Sequence, residues 1–272
     1  MLPPLSPTVR PPQPLVFAHR GGRALGPENT IAAFDRGLAA GADGLELDVH
    51  LSRDGQAVVI HDDRLDRTTD RAGAVADRTS AELARLNAGR RYGVDLEHEW
   101  TAGAEGVPTL AAVLARYDVP LIIEMKADRP ALADAVVAAV RAARAEARVC
   151  LGSFATAVLE QARRLAPEIP TSASRDEVKR ALRWAALRLG IGWRPPFSAF
   201  QLPERVGTTT VVTKRFIRAS HRGGRPVQVW TVNEEADMRR LLDWGVDGLI
   251  TDHPAVAVRV RDAWVRSQPS RA

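Results

Sequence analysis

The stretch that decides the fold runs from residue 15 to residue 51 and reads LVFAHRGGRALGPENTIAAFDRGLAAGADGLELDVHL. Residues 15–18 form a short apolar run that predicts a β-strand, and residues 44–51 predict a second strand. Between them, residues 29–40 predict a helix, because their large apolar side chains recur on one helical face (Ile31, Phe34 and Leu38). Strand, helix and strand in this order predict two parallel strands joined by a helical crossover.

The same alternation continues along the rest of the chain. Asp54-Gly55 predicts a tight turn after which residues 57–60 return as a hairpin arm. Residues 63–106 hold many turn residues and no long strand, so we expect an inserted lobe after the second strand. From residue 109 onward, helices alternate with six further apolar runs that predict strands at 120–125, 149–153, 171–174, 199–202, 227–232 and 248–251.

Eight strand–helix units within about 250 residues predict an α/β fold of the (β/α)8 or TIM-barrel type. An open doubly wound sheet is the less favoured alternative, because the turn after the first strand, His19-Arg20-Gly21-Gly22, lacks the GxGxxG pattern. We expect one barrel domain over residues 15–266, a proline-rich leader over residues 1–14 and a tail over residues 267–272.

Composition excludes several functional classes. The 272 residues carry a formal charge of +5, but the cations are nearly all arginines spread along the chain, without the basic runs of a nucleic-acid-binding protein. The single cysteine, Cys150, excludes an internal disulfide and favours a reducing compartment. Because residues 1–14 lack the apolar core of a signal peptide and no stretch is long enough to span a membrane, we expect a cytoplasmic protein.

Acidic side chains occur near the ends of two predicted barrel strands, where TIM barrels carry their chemistry. Glu46 and Asp48 share one face of their strand, and Glu124 occupies the next barrel strand. Alone, each could be a surface carboxylate or the partner of an arginine. Together in a barrel mouth they would repel one another, so we expect a hard divalent cation, Mg²⁺ or Ca²⁺, to neutralise them. The histidine and cysteine spacing does not match a zinc site.

Two histidines follow apolar strand runs directly. His19 ends the first run and His61 ends the hairpin arm, so the pair could act as general acid and general base. Arg20, beside His19, offers a fork of donors suited to a phosphate, although a salt bridge to one of the acids is the alternative.

The whole pattern resembles the glycerophosphodiester phosphodiesterases. The likeness extends over about residues 15 to 262 and rests on several motifs: His19-Arg20-Gly21-Gly22, Pro27-Glu28-Asn29-Thr30, Glu46-Leu47-Asp48, Asp54-Gly55, His61-Asp62, Glu124-Met125-Lys126, Trp230-Thr231-Val232-Asn233 and Thr251-Asp252. The resemblance implies a barrel with a small insertion after the second strand, which agrees with the lobe at 63–106. It also implies hydrolysis of glycerophosphodiesters to an alcohol and glycerol 3-phosphate.

The resemblance further assigns roles to individual residues. It implies a divalent metal held by Glu46, Asp48 and Glu124. It implies acid–base catalysis by His19 and His61, with His61 as the acid. It also implies that Arg20 and Lys126 bind the phosphate. Trp230 is expected to contact the glycerol or to fill the barrel mouth. Glu28 is expected to be structural and Asn29 to cap the first helix.

Two other functions stay open at this point. Residues 178–197, VKRALRWAALRLGIGWRPPF, combine tryptophans, leucines and cations and could lie on a membrane surface. The protein would then be a lysophospholipase D acting on lipid-tailed phosphodiesters, with peripheral membrane contact through this segment. An ordinary barrel helix is the simpler interpretation. A catalytically inactive phosphoester-binding protein is the other alternative, disfavoured because all the expected groups are present.

Overall fold

The computed structural model describes residues 11–92, 103–187 and 195–268. Its strands are, in chain order, β1 (Leu15–His19), β2 (Gly44–Leu51), β3 (Ala57–Val59), β4 (Leu121–Met125), β5 (Val149–Gly152), β6 (Phe200–Pro203), β7 (Arg205–Val206), β8 (Thr209–Thr210), β9 (Val227–Trp230) and β10 (Gly248–Thr251). Its helices are α1 (Ile31–Ala39), α2 (Ser80–Leu83), α3 (Leu110–Arg116), α4 (Pro130–Ala142), α5 (Thr156–Leu165), α6 (Arg175–Leu187), α7 (Lys214–Arg222), α8 (Glu235–Trp244) and α9 (Pro254–Ser267).

Seven parallel strands form a nearly closed barrel in the spatial order β5-β4-β2-β1-β10-β9-β6, and β3 pairs antiparallel with β2 as the predicted hairpin arm. This confirms the predicted TIM-barrel class. Successive strands pair across helical crossovers, so their carboxyl ends all point to the same mouth.

The predicted strand at 171–174 is wrong as a regular strand. Thr171 bridges Leu151 of β5 and Ser172 bridges Ala199, so these residues occupy the gap between β5 and β6 without forming a ladder. The segment is too short to form a strand ladder. Pro170 before it has no amide proton to donate, and Ser174 after it donates its backbone N–H to Glu177 at the start of α6.

The core lies in separate layers on either side of the barrel wall. Leu45, Leu47 and Val49 of β2 are fully buried and pack outward against the helices. A smaller cluster fills the barrel interior with Leu15, Phe17, Ile122 and Ile250, and Trp230 packs on it. Because side chains alternate between the two faces of β2, its leucines pack against the helices and its acids, Glu46 and Asp48, lie in the barrel mouth.

The start of α1 differs from the prediction that Asn29 caps it. Thr30 is the N-cap, and its hydroxyl accepts from the backbone N–H of Ala33. Asn29 has a positive φ of 60°, which turns its side chain away from the helix, and its amide instead donates to Asp48 at 3.0 Å.

The lobe after β3 contains α2 and its own small apolar cluster, which includes Leu65, Val75 and Leu83. Residues 93–102 of the predicted lobe, residues 188–194 of the suggested membrane segment and most of the predicted leader lie outside the described residues. None of the helices in the described ranges has the length and apolar character needed to cross a bilayer. The membrane-surface role of residues 178–197 stays a prediction.

Candidate active site

All eight residues singled out from the sequence line one cavity of about 200 Å³ at the carboxyl ends of the strands. They reach it from five different places along the barrel wall. The eight are His19, Arg20, Glu46, Asp48, His61, Glu124, Lys126 and Trp230. Residues more than 200 positions apart in the chain thus meet in one mouth, as the barrel topology requires.

A tight turn after β1 positions Arg20. Arg20, Gly21 and Gly22 all have positive φ values, of 51°, 91° and 90°. A Cβ on Gly21 would lie 2.8 Å from the backbone of Ala33 in α1, so only glycine fits between the strand end and the helix. The turn directs the backbone N–H of Arg20 to Glu46 Oε2 at 3.0 Å.

Three carboxylates, of which Glu46 and Asp48 are buried and Glu124 is partly buried, share this mouth with the partly buried cations Arg20 and Lys126. Arg20 Nε lies 3.1 Å from Asp48 Oδ2, without the alignment of a hydrogen bond, and Lys126 Nζ lies 3.2 Å from Asp48 Oδ1. Although burial raises the pKa of Asp48, these two cations outweigh it and the pKa is lowered. Burial, followed by repulsion from Asp48, raises the pKa of Glu46 to about 7.

Glu124 is the least compensated of the three acids. Its Oε1 atom is buried and has no hydrogen-bond partner. Burial raises its pKa to about 8; Lys126 opposes the shift, and the charges of Asp48 and Glu46 add to it. On the neighbouring strand, Gly152 leaves room for this carboxylate, because a Cβ at that position would collide with Glu124 Oε2. The site thus brings together more acidic groups than Arg20 and Lys126 compensate, and burial and mutual repulsion raise the pKa values of Glu46 and Glu124.

His19 is held by a chain of hydrogen bonds from the last strand. Its Nδ1 donates to Asp252 Oδ1 at 2.7 Å, and Asp252 Oδ2 accepts from the side-chain amide of Asn233 at 2.8 Å. Its Nε2 lies 4.0 Å from Glu46 Oε2. Burial lowers the pKa of His19, but the bond to Asp252 and the charge of Glu46 outweigh it, so the pKa is raised.

His61 has an aspartate partner of its own. Its Nδ1 donates to Oδ1 of the adjacent Asp62 at 2.6 Å, and its carbonyl oxygen accepts from His50 Nε2 at 2.9 Å. Burial lowers the pKa of His61, and Arg20 and Lys126 lower it further against the raising effect of Asp48 and Asp62. Each histidine therefore has one ring nitrogen fixed by a carboxylate, which leaves Nε2 as the nitrogen available for chemistry.

Aromatic and cationic side chains border the same cavity. The rings of Trp230 and Phe154 lie 6.0 Å apart, and 45% of Phe154 is exposed, which is unusual for a large apolar residue. Lys126 Nζ and the guanidinium of Arg175 lie 5.7 Å and 5.2 Å from the Phe154 ring. The border of the site thus offers an apolar surface and positive charge together.

Several side chains that organise the site were not identified from the sequence. Asp62 and Asp252 lie in the motifs without an assigned role, and only Asp62 has a local signal, because it directly follows the candidate histidine His61. Asn29 contacts Asp48 rather than capping a helix. Phe154 and the lobe residue Arg67 had no sequence signal, because their places depend on the folded barrel.

Comparisons with known proteins identify the family of this chain. The model of the glycerophosphoryl diester phosphodiesterase family matches residues 19–256. A glycerophosphodiester phosphodiesterase of Caldanaerobacter subterraneus is 35% identical over 90% of this chain and 97% of its own length.

Two solved structures extend the comparison to the fold. A glycerophosphodiester phosphodiesterase from Agrobacterium tumefaciens has a TM-score of 0.71 and 30% identity, covering 92% of this chain and 99% of the other. A phosphodiesterase from Oleispira antarctica, solved with the product sn-glycerol 3-phosphate, has a TM-score of 0.71 and 26% identity, covering 92% and 97%. With the family model matching most of its length, this chain belongs to the glycerophosphoryl diester phosphodiesterase family.

Proposed function

We propose that this protein hydrolyses glycerophosphodiesters to an alcohol and glycerol 3-phosphate, with a divalent cation and two histidines as the catalytic groups. The observation that carries the proposal is the composition of one cavity: two histidines, each paired with an aspartate, two cations and three carboxylates. Membership of the family and the product named for the Oleispira antarctica relative support the same substrate class.

The carboxylates suit a hard divalent cation in donor type and in charge. Within the described residues, no three acidic, histidine or cysteine side chains are already arranged as a ligand set, and Asp48 is engaged by Arg20, Lys126 and Asn29. The unpartnered oxygen of Glu124 nevertheless calls for a cation. Glu46, Asp48 and Glu124 would hold Mg²⁺ or Ca²⁺. When bound, the ion would neutralise these acids and withdraw charge from the phosphodiester.

Arg20 and Lys126 are the phosphate-binding groups of the proposal. Both reach the cavity, and each lies close to an oxygen of Asp48, at 3.1 Å for Arg20 Nε and 3.2 Å for Lys126 Nζ. A phosphodiester carries a negative charge that repels an incoming nucleophile, and these two side chains would offset that charge and the additional charge of the transition state. Trp230 and Phe154 would contact the apolar parts of the substrate.

The two histidines would share the proton transfers. One would take a proton from the nucleophile, which is water or a hydroxyl of the substrate itself, and the other would protonate the departing alcohol. The pKa of His19 is raised and that of His61 is lowered, which favours His19 as the proton donor at neutral pH. The family resemblance instead implies His61 as the acid. Hydrolysis rates of the two histidine variants on substrates with good and poor leaving groups distinguish the two assignments.

The test is a hydrolysis panel of glycerophosphodiesters with different alcohols and one lysophospholipid, run after exhaustive chelation and again with Mg²⁺ or Ca²⁺ restored. We expect glycerol 3-phosphate as a product, loss of turnover on chelation and recovery with the added ion. Full turnover by protein shown by elemental analysis to be metal-free would refute the metal requirement. Turnover of the lysolipid alone would favour the lysophospholipase D alternative, and absence of all turnover would favour an inactive binding protein. The expected cytoplasmic location is part of this proposal and needs a localisation experiment.

A further inference from the structure

An arginine of the inserted lobe reaches into the network that orients the catalytic groups. Arg67 lies on the lobe between Leu65 and Thr69, both fully buried. The backbone N–H and the hydroxyl of Thr69 both donate to the carbonyl oxygen of Leu65, at 3.0 Å and 2.9 Å. The chain on either side of Arg67 is therefore held firmly, and its guanidinium is presented from a fixed base.

One side of this guanidinium holds the aspartate that orients His61. Arg67 Nε donates to Asp62 Oδ2 at 2.6 Å, and Nη2 donates to Asp62 Oδ1 at 3.1 Å. Asp62 Oδ1 is the same oxygen that accepts from His61 Nδ1 at 2.6 Å. Because both aspartate oxygens are engaged by the planar fork of Arg67, the carboxylate has one orientation in which it can receive the imidazole.

The other side holds the glutamate that orients Arg20. Arg67 Nη1 donates to Glu28 Oε2 at 2.9 Å, and Nη2 donates to Glu28 Oε1 at 2.7 Å. Glu28 Oε1 in turn accepts from Arg20 Nη1 at 2.8 Å. Glu28 is buried, with 7% of its side chain exposed, and a third cation, Arg23, places its Nε 3.1 Å from Glu28 Oε2.

We propose that Arg67 is a positioning residue that fixes His61 through Asp62 and Arg20 through Glu28 at the same time. The inference rests on the proposed function, because it assigns Arg67 to the same reaction. A proton-transfer group and a phosphate-binding group would then be aligned by one guanidinium that belongs to the lobe rather than to the barrel. Misplacement of such groups by about 1 Å can cost a hundredfold in rate.

A lysine could not replace this arginine. The four hydrogen bonds use three nitrogens of a rigid plane, with Nη2 shared between the two carboxylates. A lysine ammonium is a single point charge without that planar fork. The chemistry therefore distinguishes positioning from simple charge neutralisation, since Arg67→Lys keeps the charge and loses the geometry.

The lobe does not depend on Arg67 for its attachment. Its apolar cluster packs against Val58 and Ile60, which belong to the hairpin arm or follow it directly. Asp54 of the hairpin turn accepts from both the backbone N–H and the hydroxyl of Ser80, at 2.8 Å and 2.9 Å. Since 42% of the Arg67 side chain is exposed, replacing it opens no core cavity, and the fold should survive.

The test compares Arg67→Gln and Arg67→Lys with the matched control Arg64→Gln. Arg64 is in the same lobe, is more exposed and pairs only with Asp66 among the carboxylates of the described residues. We expect both Arg67 variants to lose about 10- to 100-fold in kcat/KM, mainly in kcat, while the control keeps wild-type kinetics. Adding millimolar methylguanidinium to Arg67→Ala should restore part of the rate, and sodium chloride at equal concentration should not.

Crystal structures of the wild type and Arg67→Gln give a readout that does not depend on activity. We expect the imidazole of His61 or the guanidinium of Arg20 to be displaced or split between conformers in the variant. Wild-type kinetics in Arg67→Gln, full activity in Arg67→Lys, or unmoved His61 and Arg20 side chains would each overturn the inference. An inactive wild type would instead refute the proposed function, and the pair of structures would still decide whether Arg67 positions these side chains.

Discussion

Glu124 should make the stability of the metal-free protein fall as pH rises. Its carboxyl is buried beside Asp48 and Glu46, and its pKa is raised to about 8. In the unfolded chain the same group titrates at its ordinary value of 4.5. For an acid with a raised folded-state pKa, the stabilisation is fully present below pH 4.5 and is lost as pH rises through about 8. Replacing Glu124 with glutamine removes this titration and nearly preserves the shape of the side chain.

The magnitude follows from the difference between the two pKa values. A difference of one in pKa corresponds to about 1.4 kcal/mol. Between pH 5 and pH 8, the carboxyl of Glu124 should therefore lower the free energy of unfolding by roughly 3 to 4 kcal/mol. That is a large share of the roughly 5–15 kcal/mol by which typical domains are stable. Titrating groups that do not interact with Glu124 are present in both proteins and largely cancel in the comparison.

The assay is urea unfolding of wild type and Glu124→Gln at pH 5 and pH 8 in the presence of EDTA, followed by tryptophan fluorescence. We expect the free energy of unfolding of the wild type to fall relative to the variant by roughly 3 to 4 kcal/mol over this range. Mg²⁺ or Ca²⁺ at pH 8 should restore stability to the wild type much more than to the variant. Parallel pH dependence in the two proteins would refute the argument, because the buried carboxyl would then not ionise at a raised pKa.

Three other predictions follow from the site and its surroundings. His19→Ala and His61→Ala should each slow glycerophosphodiester hydrolysis by roughly 10²- to 10⁴-fold. The variant that lacks the general acid should recover activity on a nitrophenyl diester, because that leaving group needs no proton. Equal losses of both variants on both substrates would contradict separate roles for the two histidines. Replacing residues 63–106 with a short linker should change the ranking of alcohols as well as lower the rate, and an unchanged ranking in a folded variant would exclude a role of the lobe in selectivity. If residues 178–197 bind membranes, the protein should co-sediment with anionic vesicles at low salt, and no sedimentation would favour an ordinary barrel helix.

Most of the barrel could be predicted from the sequence, because alternation of apolar strands and helices is a local pattern. The spacing of Glu46 and Asp48 placed both on one strand face, and the structure has both side chains in the cavity. The segment at 171–174 was predicted wrongly as a strand, because its composition suits one. Its limits are imposed by Pro170 and by the start of α6, and in the fold it forms only isolated bridges.

The residues of the site could largely be predicted from the sequence, but most of the hydrogen bonds between them depend on the tertiary structure. His19 and Asp252 are separated by 233 residues, and Glu28 and Arg67 by 39, so no local pattern relates either pair. The pairing of His19 with Asp252 depends on the closure of the barrel, which places β10 beside β1, and the contact of Arg67 with Glu28 depends on the fold of the lobe. The sequence determines which groups are present because their types and spacing are local, whereas hydrogen bonds and pKa shifts depend on distances in space that only the closed barrel defines.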